Sequence, residues 1–155
     1  MAAIPSDAAV RAWTRLVRAR DRVLGGIEAE LKAAGFPPLA WYDVLLELRR
    51  AAPAGLRPYQ LEARMLLPQY GVSRLADRIE AAGYLRRTPA PEDGRGQVLR
   101  ITPSGRRLLA RMWPAYAAAI ERHLGARLPE AEAAALAGLL ERLLPPAQAG
   151  QAGGA

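Results

Sequence analysis

At 155 residues, 51% hydrophobic but only 6% aromatic, the chain suits one domain whose apolar core is mostly Ala and Leu, the composition of helices packed on helices. The absence of cysteine excludes a disulfide framework, a thiolate metal site and thiol redox sensing, and no apolar run approaches the roughly 20 residues of a membrane-spanning helix. The formal net charge is +7, and between Arg57 and Arg111 eleven arginines face five acidic residues, so +6 of that charge sits in the middle third and favours an acidic partner such as nucleic acid.

The opening residues lack the charged start and apolar stretch of a signal peptide, which predicts a cytoplasmic protein with no membrane partner. From Asp7 to about Ala34 no proline intervenes, and Val10, Trp13, Val17, Leu24, Ile27 and Leu31 recur at helical spacing, with Ser6 placed to cap the start and Gly35 with Pro37 and Pro38 to end the helix. A second helix is predicted from about Leu39 to Ala51, with Trp41, Val44, Leu45 and Leu48 on one face. A short third runs from Pro58 to about Leu66. Pro68 fits the first turn of a fourth helix reaching about Ala82, where Val72, Leu75, Ala76 and Ile79 form the buried stripe. On its other face lie Tyr70, Ser73, Arg74, Asp77 and Arg78.

Tyr84 to Thr88 and Gln97 to Thr102 read as two short strands around a turn at Asp93-Gly94. Thr102-Pro103 then opens a fifth helix, with Leu108, Leu109, Met112, Tyr116 and Ile120 apolar and a bend expected near Arg111 to Trp113 because Pro114 removes a backbone donor. A sixth helix starts at Leu128-Pro129-Glu130 and carries the seam Leu136, Leu139, Leu140 and Leu143; residues 146–155 read as a disordered tail.

The resulting fold is mostly α (α+β): six helices with a two-stranded β-wing, in the order of a winged helix-turn-helix, whose second motif helix enters the major groove of DNA. The organisation is a helix over 1–34, a helix-turn-helix and wing over 35–102 and two helices over 103–145. The stretches YGVSRLADRIEAAGYLRR at 70–87 and EDGRGQVLRITPSGRRLL at 92–109 resemble the MarR family of transcriptional regulators. That resemblance implies that the segment around Gly71 to Arg78 is a recognition helix, that Arg95 at the wing tip reaches the minor groove, and that the first, fifth and sixth helices build a homodimer. It also implies a pocket for small aromatic anions between dimerisation helices and DNA-binding head. The Leu-rich terminal segments support the dimer independently, because they carry more apolar stripe than a three-helix head can bury.

The candidate DNA contacts are Gln69, Tyr70, Ser73, Arg74, Arg78, Arg86, Arg87 and Arg95. All but Gln69 have a plainer reading: Arg74 and Arg78 as a solvated face paired with Asp77, Ser73 bonded to its own backbone, Tyr70 covering the preceding turn, Arg86 and Arg87 as exposed charge, and Arg95 as flexible surface in a Gly-bounded turn. Trp13, Trp41, Tyr42, Trp113, Tyr116 and the single His123 are candidates for lining an aromatic effector pocket, with core packing the alternative. No nucleophile with its base, metal-ligand cluster or phosphate loop is recognisable, so neither catalysis nor a cofactor is expected. A homodimeric, sequence-specific regulator of a pseudo-palindromic operator, released by a small aromatic ligand and most simply a repressor, is the leading expectation. The alternatives are an architectural DNA-binding protein of low specificity and a winged helix used for protein interaction.

Overall fold

The computed structural model describes residues 3–68, 71–91 and 96–145. Gln69, Tyr70 and Arg95, three of the expected DNA contacts, and the expected tail at 146–155 lie outside them. The described elements are α1 (Asp7–Ala33), α2 (Leu39–Arg50), α3 (Pro58–Arg64), α4 (Val72–Ala81), β1 (Leu85–Pro89), β2 (Gln97–Ile101), α5 (Pro103–His123) and α6 (Glu130–Glu141), with a 3₁₀ turn at Gly125–Arg127 before α6.

The caps read in the sequence are made. Ser6 Oγ accepts from the Ala9 N–H at 3.2 Å, and Thr102 Oγ1 accepts from the Gly105 N–H at 3.1 Å while donating to the Gly83 carbonyl at 2.7 Å. Thr102 therefore opens α5 and ties that opening to the end of α4. The N-cap of α2 is Pro38, which has no side-chain acceptor; Glu28 of α1 supplies one, taking the Leu39 N–H at 3.2 Å.

α2 lies at the centre. Leu39, Tyr42, Val44, Leu45 and Leu48 are buried in one continuous core with Ile27 and Leu31 of α1, Leu61 of α3, Val72, Leu75, Ala76 and Ile79 of α4, and Leu108, Leu109 and Met112 of α5. The wing strands pair antiparallel from Leu85 opposite Ile101 to Pro89 opposite Gln97. Leu56 adds a bridge that sequence patterning did not reveal, exchanging backbone bonds with Leu99 at 3.0 and 2.7 Å. One isolated residue has no alternation to read.

Two predicted boundaries are corrected. α3 ends at Arg64, and Met65 is already extended at φ −61°, ψ 134°; Pro68 starts no helix, because α4 begins at Val72 behind Gly71, whose φ is +79°. In the segment after α3, Asp43 Oδ2 takes the Leu67 N–H at 3.0 Å in place of a helical acceptor. α5 runs through Pro114 as one element. Among the described residues no helix is long and apolar enough to cross a membrane, and no cluster of His, Cys, Asp and Glu could hold a metal.

Gly105 marks the closest packing of helix on wing: a Cβ there would stand 2.2 Å from the Tyr84 carbonyl oxygen, a backbone atom with little room to move. Gly105→Ala should therefore lower unfolding stability in urea by about 1–3 kcal/mol, the usual cost of overpacking. Gly25→Ala, where a Cβ meets nothing within 4 Å, should raise it slightly. Equal effects from the two would contradict the close approach.

Candidate nucleic-acid interface

Burial sets the rotation of α4 about its axis. With Val72, Leu75, Ala76 and Ile79 at 5% exposure or less, Ser73, Arg74, Asp77 and Arg78 are turned to solvent. The sequence placed these residues correctly by period alone. Asp77, however, does not neutralise Arg74 or Arg78, because its Oδ1 binds an Arg87 guanidinium nitrogen at 2.7 Å. Arg74 and Arg78 form no ion pair among the described residues, so both guanidinium forks stand free on the outward face.

Arg87 has a role that neither expectation for it anticipated. Its side chain is 18% exposed, reaches Glu80 Oε1 at 2.8 Å as well as Asp77, and donates to the Ser73 carbonyl at 3.3 Å; its backbone N–H donates to Glu80 Oε2 at 2.8 Å. One arginine of β1 thus clamps the length of α4 to the wing. The signal was present in the sequence as acids at positions 77 and 80 on the helix, but the pairing is visible only once the strand lies beside it. Arg86, its neighbour, is exposed and forms no ion pair among the described residues.

The six pocket candidates divide. Tyr42, Trp113 and Tyr116 form one aromatic group, with Tyr42 and Trp113 stacked at 6.4 Å between centroids and Tyr116 edge-on to both at 5.1 and 6.0 Å. Tyr42 and Tyr116 line a cavity of about 510 Å³ between α2, the segment after α3 and the C-terminal end near Leu144. The other three lie elsewhere. Trp13 is 65% exposed on α1, Trp41 packs edge-on against Tyr84 at 6.1 Å, and His123 Nε2 lies 2.7 Å from Glu30 Oε1, fastening the end of α5 to α1.

Sequence patterning also missed the charged side chains of that cavity, Asp43 and Glu47 beside Arg50 and Arg64. Asp43 and Glu47, each 5% exposed, both line it, and Glu47 is paired with Arg50 at 2.7 Å. Burial, ahead of the opposing backbone bonds from Leu67 and Leu66, raises the Asp43 carboxyl above its ordinary 3.8. Burial followed by the Asp43 charge likewise raises the Tyr116 phenol above 10.0 and keeps it a proton donor. Asp43 thus both lines the cavity and holds the amide of Leu67 in the segment after α3.

A three-helix head with an antiparallel wing and an outward helix bearing unpaired arginines defines the class of winged helix-turn-helix proteins. The MarR family model matches residues 34–96. PecS, an HTH-type transcriptional regulator of Dickeya dadantii, is 33% identical over 72 residues, 46% of this chain and 43% of its own. The match thus spans less than half the length of that relative. Among solved structures, Sco3205 from Streptomyces coelicolor, a MarR family transcriptional regulator in complex with DNA, superposes with a TM-score of 0.77 at 22% identity over 93% of this chain and 96% of its own. The MarR transcription factor from Planctomyces limnophilus does so with a TM-score of 0.66 at 28% identity over 91% and 97%. Residues 34–96 are thus similar to the MarR family, and the relatives that match are named as transcriptional regulators.

Two outcomes check these assignments. Arg87→Met should lower stability in the absence of DNA by about 1 kcal/mol, since it removes a half-buried guanidinium that joins two carboxylates and a carbonyl, whereas Arg74→Ala should stay within about 0.5 kcal/mol of the parent. Similar losses in both would deny Arg87 its clamp. For Asp43, a carboxyl raised by folding opposes the folded state increasingly as pH climbs from 3.8 through the raised value, and opposes it not at all below. Asp43→Asn, which keeps an acceptor for Leu67, should therefore be more stable than the parent at pH 7, with the gap closing as pH falls towards 3.8 in urea titrations. A gap that does not change with pH would show that burial of the charge is not the dominant effect.

Proposed function

We propose that the protein is a homodimeric transcriptional regulator that occupies a pseudo-palindromic operator and acts most simply as a repressor. The observation that carries this reading is the outward face of α4, where the side chains of Ser73, Arg74 and Arg78 have no hydrogen-bond or ion-pair partner among the described residues. Arginine pairs bidentately with the O6 and N7 acceptors of guanine in the major groove, and hydroxyls suit either bases or phosphates. Gln69 and Tyr70 ahead of the helix would extend the contact, and Arg95 at the wing tip would enter the flanking minor groove, where a narrow A·T-rich groove concentrates negative potential. Arg86 is available to phosphates, whereas Arg87 acts by holding α4 in place.

Dimerisation is supported by apolar surface that the protomer leaves uncovered. Nothing on α6 is buried, Leu139 and Leu143 are 59% and 69% exposed, and Val10 and Trp13 of α1 are 46% and 65% exposed. A twofold dimer through α1, α5 and α6 would cover them and set two copies of α4 about one DNA turn apart.

Regulation by a small aromatic ligand is supported by the cavity beside Tyr42 and Tyr116. Its wall carries Asp43 and Glu47 beside Arg50 and Arg64, so the charges lining it balance and its aromatic and apolar side chains carry the preference for an aromatic ligand. A ligand there would release DNA by preferring the placement of the 65–68 segment that moves α4 off the groove spacing, since only differential affinity shifts such an equilibrium.

Selection from a random duplex pool at about 150 mM salt, followed by titration of the winner against a scramble, tests the reading. A pseudo-palindrome bound at least about a thousandfold more tightly than the scramble is expected. Arg74→Ala should cost more on that operator than on random duplex. Uniform, salt-steep binding without a consensus would favour an architectural protein, and absence of binding would favour a protein-interaction module.

A further inference from the structure

The wing has two faces, and only one serves α4. Side chains alternate along a strand, so Arg87, which bonds Glu80, leaves Arg86 on the opposite side of β1. There its direct cross-strand partner is Arg100. Like charges placed directly opposite destabilise a sheet, and nothing in the pairing itself offsets that cost.

A third cation joins them. Arg106, exposed in the first turns of α5, faces the same hollow of about 290 Å³, whose apolar wall includes Leu48 and Ile101. Among the described residues no carboxylate lines it. Arg100 is held in place, its Nε donating to Thr88 Oγ1 at 3.0 Å and one terminal nitrogen donating to the Pro53 carbonyl. Arg86 and Arg106 form no ion pair and no side-chain hydrogen bond among the described residues.

Elsewhere the protein matches partly buried guanidinium groups with acids, as in Arg87 with Glu80 and Arg50 with Glu47. Here it concentrates three guanidinium groups in a concavity without a counter-charge. Planar forks converging on one hollow suit the several acceptor oxygens of a tetrahedral oxyanion. A monocarboxylate, with two oxygens and one charge, would satisfy fewer of them.

We propose that this hollow is a phosphate-binding site, formed by Arg86, Arg100 and Arg106 on the face of the wing turned away from α4. A phosphate bound there would relieve the repulsion across the strands and brace the wing against the start of α5. The same chemistry is offered by a free phosphate or phosphomonoester and by a phosphodiester of the DNA backbone, and the test separates these sources.

Inorganic phosphate is titrated calorimetrically into the full-length protein at constant ionic strength, with chloride as the reference anion, using the parent, Arg100→Lys and the Arg86→Ala/Arg106→Ala double variant. The salt dependence of duplex binding is measured on the same proteins. Saturable phosphate binding weakened at least tenfold in the double variant, and also weakened in Arg100→Lys, which keeps the charge but loses the fork, would establish a site for a free phosphate ligand. No phosphate binding, with the slope of log affinity against log salt falling by about one for each DNA phosphate that a variant protomer no longer neutralises, would establish the backbone phosphate as the occupant. Phosphate binding equal in all three proteins together with an unchanged slope would overturn the proposal, as would the absence of both effects. The phosphate arm needs no DNA, so its result stands apart from whether the protein recognises an operator.

Discussion

The burial of Leu75, Ala76 and Ile79 against α2 is the constraint on which the rest of the molecule depends. A helix with one stripe fixed in a core has no freedom left to rotate, so the identity of its solvent face is decided by packing rather than by any ligand. Through that one constraint Ser73, Arg74 and Arg78 face outwards, and the wing, fastened by Arg87 to Glu80 and Asp77, takes a defined place beside them. Asp43 of α2 separately holds the Leu67 amide, which anchors the segment that follows α3.

The arginines sort into two populations that composition could not distinguish. Arg87, paired with Glu80 and Asp77, and Arg122, paired with Glu30, hold elements together, while Arg50 pairs with Glu47 within α2. Arg74 and Arg78 on one surface, and Arg86 and Arg106 on another, lack an ion pair among the described residues and project charge outwards. Only the second population contributes to the positive field that a polyanion meets at close range, so the excess of +6 between Arg57 and Arg111 overstates what is concentrated on any one face.

Features that follow from local rules were legible in the sequence. The period of Val72, Leu75, Ala76 and Ile79, the caps at Ser6 and Thr102, and the two wing strands were each readable, because each depends on residues close together in the chain. What was not legible depends on partners far apart. Asp43 binds the Leu67 amide 24 positions away, Leu56 joins the wing as a single bridged residue, and His123 pairs with Glu30 across 93 positions. The aromatic candidates show the same limit: Tyr42, Trp113 and Tyr116 converge from two helices, whereas Trp13 and Trp41, equally plausible by residue type, do not join them.

On this account α4 is the element that enters the groove, and the absence of cysteine makes that directly testable, since a Ser73→Cys variant carries one thiol. A tethered iron chelate on that thiol cleaves the DNA to which the outward face of α4 is docked. On a selected operator, strong cuts confined to two patches in successive major grooves, related by the operator dyad, are predicted. Cleavage spread evenly along the duplex, or directed to the minor groove, would contradict the placement of α4 as the reading helix.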